Sequence, residues 1–371
     1  MRIAIYHIFI AFFVFFISCS KEETLNLDSQ SSIKGEIIVL FSPNRLGDMG
    51  YNDLILSGFQ KLYKNLTNYN MYLFAPKTNE EAKEIFLEWS ETPKEVKSIC
   101  VLAASNYESI LKDCFDNYTL NLANKDILLF ESDNKYNLPI TTFKVSMYGA
   151  SYLAGISACS VASGEYLAIG ATKQDTSVLL PSLNGFSDGV YDYNNKKVNL
   201  EYLSDDFSGY SMSEETYKNM YEWGKKYSFI FPVAGGSNLG IYKFLREFPN
   251  STLTAGMDVD QSYLCNEIVG SVIKKLDEII SFYINMWANE IEIPKKTLFG
   301  LESGYVEWRI SDNYKSQLND IINKYITIGE FYQFNLSSCI RQQNSLTAQF
   351  VSFSLSNLAN IFYPPPNFYN N

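Results

Sequence analysis

The sequence predicts an α/β protein with two lobes, each a mainly parallel sheet with flanking helices. Short apolar runs alternate with segments of helical periodicity along most of the 371 residues, which is typical of parallel strands joined by crossover helices. The alternation forms two series of similar size, the first ending near residue 163 and the second starting at Tyr166. A chain of this length is also better divided between two domains than packed around one core.

The first series begins with Glu36–Phe41, an apolar run that predicts a buried strand. A glycine-containing loop then leads into a helix over about 53–64. Asn79 is placed to cap a later helix. The remaining elements predicted in this series are strands over 71–74, 98–103 and 125–130 and helices over 80–90 and 146–163.

The second series repeats this order of strands and helices. One of its predicted strands ends in Ala234-Gly235-Gly236, and another ends at Asp258. The predicted elements are strands over 166–170, 228–233 and 251–257, a helix over 217–226, and a long helix over 271–290.

Loops that follow predicted strands hold the candidate binding residues, because ligands of open α/β sheets bind beyond the carboxyl ends of strands. The loop Gly47–Asp53 (GDMGYND) is the most informative of them. Tyr51 offers a flat apolar face with a polar tip, and Asn52 offers both a donor and an acceptor. The same loop is also compatible with an ordinary helix cap. The other candidate places are the region after Ala103, the loop after Val233 and the turn at Asp258.

The amino terminus resembles a bacterial lipoprotein signal. Arg2 precedes an apolar run over 8–17, which is shorter than the roughly 20 residues of a membrane-spanning helix. The stretch Phe16–Cys19 (FISC) is similar to a lipobox, in which the cysteine follows the cleavage point and is acylated. This predicts a signal over 1–18, a lipid such as palmitate on Cys19, and a polar tether over 19–35. The alternative is an ordinary signal peptide that contains a cysteine.

Composition limits the chemistry that remains after such cleavage. The single histidine is His7, inside the predicted signal, so histidine-based catalytic triads and zinc sites are excluded. A carboxylate pair or a lysine base stays open, but the sequence favours a protein that is not an enzyme and has no metal or cofactor. The formal net charge of −11 disfavours nucleic acid as a partner, because an acidic surface repels phosphates.

The cysteines are spread singly along the chain. An odd number remains after Cys19, so they cannot all pair within one chain, and none has CxxC spacing. We interpret those in apolar surroundings as packing residues and leave a single disulfide open. The remaining cysteines are Cys100, Cys114, Cys159, Cys265 and Cys339.

Seven short motifs follow one another between about Ile37 and Asn335. They are Gly47–Asp53 (GDMGYND), Ala150–Gly155 (ASYLAG), Asn184–Gly189 (NGFSDG), Val233–Gly236 (VAGG) with Gly240, Gly256–Gln261 (GMDVDQ), Ser271–Asp277 (SVIKKLD), and Leu298–Leu301 (LFGL) with Gly304. Their order and spacing resemble those of the basic-membrane-protein (Bmp, PnrA-like) family of substrate-binding lipoproteins. The ASYLAG helix of that family is matched residue for residue.

The resemblance implies a type I periplasmic-binding fold, in which two lobes are joined by three crossover segments and the ligand lies between them. On this basis residues 36–145 form the first lobe, completed by about 258–292. Residues 146–257 form the second lobe, completed by about 295–335. Residues 336–371 lie beyond the resemblance and are predicted to be a C-terminal extension.

The resemblance also implies a function. Characterised members of the family bind purine nucleosides and deliver them to ABC importers. The expected protein is therefore anchored by lipid on the extracytoplasmic side of the cell membrane, and its partners are a purine nucleoside, a permease and an ATPase. Two alternatives remain: a receptor of the same fold that senses another small polar ligand or interacts without transport, and a nucleoside hydrolase or lyase that uses carboxylates.

Within the first lobe and the glycine turn, the resemblance implies ligand contacts from five residues. Tyr51 would stack on the base. Asn52 and Asp53 would form hydrogen bonds with polar atoms of the base or ribose. Gly235 and Gly236 would let backbone amides approach the ligand closely.

Asp258 and Lys274 are implied to complete the site. Asp258 would accept hydrogen bonds from the ribose hydroxyls, since a vicinal diol suits a carboxylate, and Lys274 would reach the ligand from the other side. The alternative interpretations are a turn capped by Asp258 and Asp260, and a Lys274 on the solvated face of the predicted long helix. The family often has an aromatic residue where this sequence has Ser182, so a second stacking ring is not predicted.

Overall fold

The computed structural model describes residues 32–43, 46–137, 139–249 and 252–334, and two six-stranded sheets lie within them. The first sheet has the order β11-β5-β4-β3-β1-β2, and all its pairs are parallel. We call this sheet, with the helices packed on it, the first lobe. Its strands are β1 (Gly35–Phe41), β2 (Tyr69–Phe74), β3 (Lys97–Ala103), β4 (Lys125–Phe130), β5 (Ile140–Val145) and β11 (Lys296–Phe299).

The second sheet forms the core of the second lobe and has the order β12-β10-β9-β8-β6-β7. Its pairs are parallel except for β12, which runs antiparallel to β10 at one edge. The two sheets therefore confirm the predicted two-lobed α/β architecture. Its strands are β6 (Glu165–Thr172), β7 (Val198–Ser204), β8 (Tyr227–Val233), β9 (Leu253–Asp258), β10 (Ile268–Lys274) and β12 (Val306–Ile310).

Helices cover both faces of each sheet, because the central strands are apolar on both sides. In β1, Ile37 and Val39 pack with helices α1 and α8, whereas Ile38 and Leu40 pack with α2 and α3 on the opposite face. The helices are α1 (Tyr51–Asn65), α2 (Asn79–Glu91), α3 (Tyr107–Asn117), α4 (Tyr148–Val161), α5 (Thr176–Asn194), α6 (Ser213–Lys226), α7 (Asn238–Glu247), α8 (Leu276–Ala288) and α9 (Lys315–Phe334).

Helix α4 is the central helix of the second lobe, and its residues 148–158 are all buried. It approaches α5 so closely that a Cβ atom at Gly185 would lie 2.3 Å from the carbonyl oxygen of Tyr148. At Gly189 a Cβ atom would lie 2.1 Å from the carbonyl oxygen of Tyr152. Glycine is required at both positions, because any side chain would push the two helices apart. The ASYLAG and NGFSDG motifs are thus two halves of one helix contact.

The described chain passes between the lobes three times, as the predicted fold requires. It crosses after β5 at Ser146–Met147, after β10 at Lys275, and between β11 and β12 over 300–305. These short connections lie side by side between the sheets. They leave the carboxyl ends of the strands of both lobes facing one cleft.

The structure corrects two predictions near the second and third crossovers. The helix expected over 271–290 is instead strand β10 followed by the shorter helix α8. Every residue of β10 is buried, so the strand lacks the alternation of a half-exposed strand. No Gly or Pro between Ser271 and Trp287 marks its boundary with α8. Because β10 belongs to the second sheet, only α8 of the expected segment 258–292 joins the first lobe. Strand β11, expected in the second lobe, completes the first sheet.

Several predictions concern residues outside the described ranges, namely the signal over 1–18, Cys19, most of the tether and the extension over 336–371. None of the described helices is both long enough and apolar enough to cross a lipid bilayer. The described cysteines, none of which forms a disulfide, are Cys100, Cys114, Cys159 and Cys265.

Candidate functional site

A cavity of about 260 Å³ lies between the lobes, at the carboxyl ends of strands from both sheets. We call it the cleft cavity. Its volume lies near the lower limit of roughly 300–1,000 Å³ for small-molecule sites, and its position is the one expected for parallel sheets. The predicted site residues that line it are Tyr51, Asn52, Gly235, Gly236, Asp258 and Lys274.

Two carboxylates hold the loop between β1 and α1 in shape. Asp48 Oδ2 accepts hydrogen bonds from both the backbone and the side-chain nitrogen of Asn52, at 3.0 and 2.8 Å. Asp53 accepts from the backbone nitrogens of Gly47 and Met49, at 2.7 and 2.9 Å. Asp53 does not line the cleft cavity, and both of its carboxylate oxygens hold the loop. Its ligand contact stays a prediction.

Tyr51 and Asn52, the first residues of α1, present polar atoms to the cavity. Asn52 is 2% exposed, and its Oδ1 is buried without a hydrogen-bond partner among the described residues. The hydroxyl of Tyr51 is buried in the same way. Burial, together with Glu131 and Asp258, raises the pKa of Tyr51 well above its usual value, so the phenol stays protonated as a donor. Because unpartnered buried polar atoms are costly, both groups are suited to bind a ligand.

Lys274, Glu131 and Asp258 form a charged cluster in the cavity wall, and they are only 2%, 4% and 6% exposed. Lys274 Nζ lies 3.3 Å from Glu131 Oε1 and 3.7 Å from Asp258 Oδ1. It also lies 4.9 Å from the ring centroid of Tyr51, within the range of a cation–π interaction. Glu131 Oε2 accepts from the backbone nitrogen of Val145 at 3.2 Å. Lys274 is therefore a buried strand residue and does not lie on a solvated helix face.

The cluster changes the proton affinity of its members. Burial alone would lower the pKa of Lys274, but the attraction of Glu131 and Asp258 outweighs burial and raises it. Burial raises the pKa of Asp258 to about 6, with Lys274 opposing the change and Asp48 adding to it. The ammonium is therefore charged at neutral pH, whereas Asp258 exchanges its proton in the mildly acidic range.

Asp258 and Glu131 reach the cavity because the backbone turns sharply at both. Their φ angles are +69° and +57°, a left-handed conformation that is uncommon for residues other than glycine. Asp258 ends β9, and Glu131 directly follows β4. Sequence reasoning missed Glu131, although an acidic residue directly after a buried strand is the same signal that selected Asp258.

The second lobe contributes an acidic and aromatic wall that the sequence did not predict. Asp175 precedes α5, and its Oδ2 accepts from the hydroxyl of Ser105 at 2.9 Å and from the hydroxyl of Tyr210 at 2.6 Å. The Ser105 bond crosses the cleft, because Ser105 belongs to the first lobe. Tyr210 lies in a short 3₁₀ segment, where its ring is nearly parallel to that of Phe207.

Tyr210 provides a second aromatic ring to the cavity, although Ser182 does not. Ser182 is buried on α5 and does not line the cavity. Gly235 has a φ of +54°, and a Cβ atom there would lie 3.1 Å from the Tyr210 ring. A Cβ atom at Gly236 would lie 3.3 Å from the Tyr210 carbonyl oxygen. The two glycines therefore make room for Tyr210 as well as for a ligand.

The turn after β9 links the lobes and separates the roles of its two aspartates. Asp260 accepts from the backbone nitrogen two residues further on, at 3.0 Å, so the capping interpretation holds for Asp260, whereas Asp258 faces the cavity. Gln261 Nε2 donates to the carbonyl oxygen of Met49 in the first lobe at 3.2 Å. Its Oε1 accepts from the backbone nitrogen of Met257 at 2.9 Å. The site is therefore assembled from loops of both lobes.

Known proteins resemble this chain in sequence over most of its length. A family model described as "ABC transporter substrate-binding protein PnrA-like" (Bmp) matches residues 36–331. Basic membrane protein D of Borreliella burgdorferi (strain JD1) is 25% identical over 324 residues, covering 86% of this chain and 90% of that protein. Basic membrane protein C of Borreliella burgdorferi (strain N40) is 30% identical over 170 residues, covering 43% of this chain and 45% of that protein.

Solved structures show the same fold. An ABC transporter solute-binding protein from Aeropyrum pernix K1 superposes with a TM-score of 0.63 at 16% identity, covering 81% of this chain and 86% of that chain. At that identity the likeness concerns the fold alone, which is the type I periplasmic-binding fold. The family match spans most of the chain, so this protein belongs to the Bmp family of PnrA-like ABC transporter substrate-binding proteins.

Proposed function

We propose that this protein is the substrate-binding lipoprotein of an ABC importer and that it binds a purine nucleoside in the cleft cavity. One observation carries the proposal: two aromatic rings, a carboxylate and an ammonium line the same small cavity. Tyr51 and Tyr210 supply the rings, and Asp258 and Lys274 supply the charges. A nucleoside combines the matching parts, because it joins a flat base to a sugar with a vicinal diol.

The aromatic side chains account for the base. Stacking on an aromatic side chain contributes about 1–3 kcal/mol per base. The ammonium of Lys274 lies over the ring of Tyr51, so the base would stack on the opposite face of that ring. Tyr210 would contact the base from the second lobe. A ligand held between rings of different lobes stabilises their closed arrangement, because it interacts with both only when they are close.

The polar groups account for the sugar. Asp258 would accept from the ribose hydroxyls, and charge-assisted hydrogen bonds are stronger than neutral ones. Lys274 would donate to a ribose oxygen. The free Oδ1 of Asn52 and the hydroxyl of Tyr51 would take one further hydrogen bond each. Every role in this scheme is a contact with the ligand, and none is a catalytic step.

The proposal for transport rests on family membership. A substrate-binding protein of this kind delivers its ligand to a permease and an ATPase, and Cys19 would carry the lipid that keeps it on the extracytoplasmic side of the membrane. A receptor of the same fold that signals without transport is the alternative. Replacing Cys19 by alanine should release the protein from the membrane fraction of the producing cells, and continued retention would contradict the lipid anchor.

Ligand identity is tested most directly on the freshly purified protein. Mass spectrometry of small molecules released by denaturation should recover a purine nucleoside. Nucleoside incubated with the folded protein should also be recovered intact. Release of the free base would contradict a pure binding role, and a native ligand of another class would contradict the nucleoside assignment.

Tyr210 offers a test of the stacking geometry. The variant Tyr210→Ala should weaken adenosine binding by about 1–3 kcal/mol, whereas Tyr210→Phe should lose less because it keeps the ring. Isothermal titration calorimetry measures both. Tyr263→Ala is the control, because Tyr263 is 69% exposed and lies outside the cavity. Wild-type affinity in the Tyr210→Ala variant would remove Tyr210 from the site.

A further inference from the structure

Asp175 is a buried carboxylate of the cleft cavity whose surroundings differ from those of the charged cluster. It is 6% exposed. Lys274 pairs with Glu131 and Asp258, but within the described parts of the chain Asp175 forms no ion pair. Its partners there are two neutral hydroxyls, those of Ser105 and Tyr210.

The two oxygens of Asp175 are used unequally. Oδ2 accepts both hydroxyl hydrogen bonds, at 2.9 and 2.6 Å, and no described residue donates to Oδ1. An aspartate directly before a helix ordinarily accepts from the first amides of that helix. Asp175 makes no such capping bond to α5. Its side chain is instead anchored by one oxygen, which leaves the other available to a ligand in the cavity.

The surroundings of Asp175 suit a base better than a sugar. Val178 and Leu179, in the first turn of α5, line the cavity beside it, and the ring of Tyr210 is attached to it by a hydrogen bond. These are apolar surfaces of the kind that contact a flat heterocycle. The charged groups around Lys274 provide the polar end at which hydroxyl groups are better satisfied.

We propose that Asp175 selects the base: its Oδ1 accepts a hydrogen bond from an N–H group on the edge of the purine. The inference rests on the proposed nucleoside function and adds to it a preference for purines that carry an N–H group on that edge. A base edge without an N–H group would leave a buried carboxylate oxygen unpartnered. Sites that hydrogen-bond one ligand group discriminate strongly against analogues that lack it, for this reason.

Adenosine and purine riboside provide the first test, because they differ only in the 6-amino group. The full chain is titrated with each nucleoside by calorimetry. We expect the wild type to bind purine riboside roughly 10- to 100-fold more weakly than adenosine, the range for a hydrogen bond to a charged group. Equal affinities would overturn the proposal.

The variant Asp175→Asn provides the second test. Its amide oxygen can keep the hydrogen bonds from Ser105 and Tyr210, while its NH₂ group replaces Oδ1 and donates where the carboxylate accepted. The affinity for adenosine should fall roughly 10-fold or more, whereas the affinity for purine riboside should change little. The ratio of the two affinities should therefore approach one. Asp205→Asn is the control, because Asp205 is an exposed carboxylate paired with Lys173, and it should keep the wild-type ratio.

The outcomes separate this inference from the proposed function. A wild type that binds no nucleoside contradicts the proposed function. If the wild type binds nucleosides and the folded Asp175→Asn variant keeps the same preference for adenosine over purine riboside, only the selection by Asp175 is contradicted. Thermal unfolding establishes that the variant is folded, and the wild-type ratio of adenosine to purine riboside tests the inference without any variant.

Discussion

The cleft cavity has two acidic ends that are built differently. At one end Glu131 and Asp258 flank the buried ammonium of Lys274, at 3.3 and 3.7 Å. At the other end Asp175 accepts hydrogen bonds from two neutral hydroxyls. Its charge also raises the pKa of Lys274, but it forms no ion pair with any described residue. The charged groups at the first end mostly have partners within the protein, whereas Asp175 Oδ1 at the second end is left for the ligand. We infer that the first end supports the fold as well as binding, whereas the second selects the ligand. We call them the charged end (Glu131, Asp258 and Lys274) and the selective end (Ser105, Asp175 and Tyr210).

The difference also concerns how the lobes are connected. Lys274 ends β10 in the second sheet, and Glu131 follows β4 in the first, so their ion pair joins the lobes through buried charge. The bond from Ser105 to Asp175 joins them through one neutral hydroxyl. Breaking a buried ion pair leaves a charge without compensation, and that costs more than losing a neutral hydrogen bond. Stability should therefore respond to changes at the first end, and ligand preference to changes at the second.

The largest effect is expected for Lys274→Met. Two buried carboxylates would lose their counter-ion, and breaking a buried pair in this way typically costs about 3–5 kcal/mol of unfolding free energy. Urea unfolding at pH 7 measures the loss. Lys275→Met is the matched control, because its ammonium is partly exposed and lies 3.7 Å from Glu307 outside the cavity, so it should change stability little.

Acid should partly rescue the Lys274→Met variant. Burial raises the pKa of Asp258 to about 6, so protonation of Asp258 removes uncompensated charge in this range. The difference in unfolding free energy from the wild type should therefore shrink between pH 7 and pH 5. A deficit that stays constant over this range would show that lost packing, and not charge, is responsible. Equal losses in the Lys274 and Lys275 variants would contradict a special cost of breaking the buried ion pairs.

At the charged end, the sequence predicted two of the site residues correctly but not the secondary-structure element that holds one of them. Asp258 and Lys274 were identified from the family motifs, and both line the cavity. The element that holds Lys274 was predicted wrongly, because β10 is buried throughout and no Gly or Pro between Ser271 and Trp287 marks the boundary between strand and helix. A strand buried on both faces has no alternating pattern, so only the pairing with β9 and β12 reveals it.

Of the selective end, only the region after Ala103, which holds Ser105, was selected from the sequence; Asp175 and Tyr210 were not predicted, for a physical reason. Asp175 and Tyr210 lie in connections without hydrophobic periodicity, and their hydrogen bond joins residues 35 positions apart. Ser105 lies 70 positions from Asp175 and in the other lobe. Nothing in the local sequence indicates such contacts, because the packing of whole lobes produces them. The fold was predictable from periodicity and ordered motifs, whereas this part of the site required the tertiary structure.

An intermediate effect is expected for the pH dependence of binding at the charged end. Burial raises the pKa of Asp258 to about 6, whereas an aspartate in the unfolded chain titrates near about 3.9. The contribution of Asp258 to stability is therefore full below the unfolded pKa and is lost as the pH rises through about 6. The affinity for ligand should change with pH in the opposite direction, because ribose hydroxyls donate to the ionised form of Asp258. Lys274 favours that ionised form, whereas Asp48 and Glu131 oppose it.

Adenosine affinity should accordingly rise from pH 5 to pH 7, by up to about tenfold per pH unit below the pKa of Asp258. Calorimetry at pH 5, 6, 7 and 8 measures the slope. Asp258→Asn should bind more weakly at pH 7 and show a flatter profile, whereas Asp260→Asn, in the same turn but outside the cavity, should keep the wild-type profile. A wild-type affinity that is independent of pH would contradict a role of the Asp258 carboxylate in binding.

The smallest effect is expected for Ser105→Ala, which removes one neutral hydroxyl from the selective end. A neutral hydrogen bond contributes about 0.5–1.5 kcal/mol, so adenosine affinity should fall roughly 2- to 10-fold. Ser109→Ala is the control, because its hydroxyl donates to the carbonyl of Asn106, directly before α3, and Ser109 does not line the cavity. The ratio of adenosine to purine riboside affinity should stay at its wild-type value in both variants, since Asp175 Oδ1 is retained. A changed ratio in Ser105→Ala alone would mean that the bond across the cleft orients Asp175 toward the base as well as holding the lobes together.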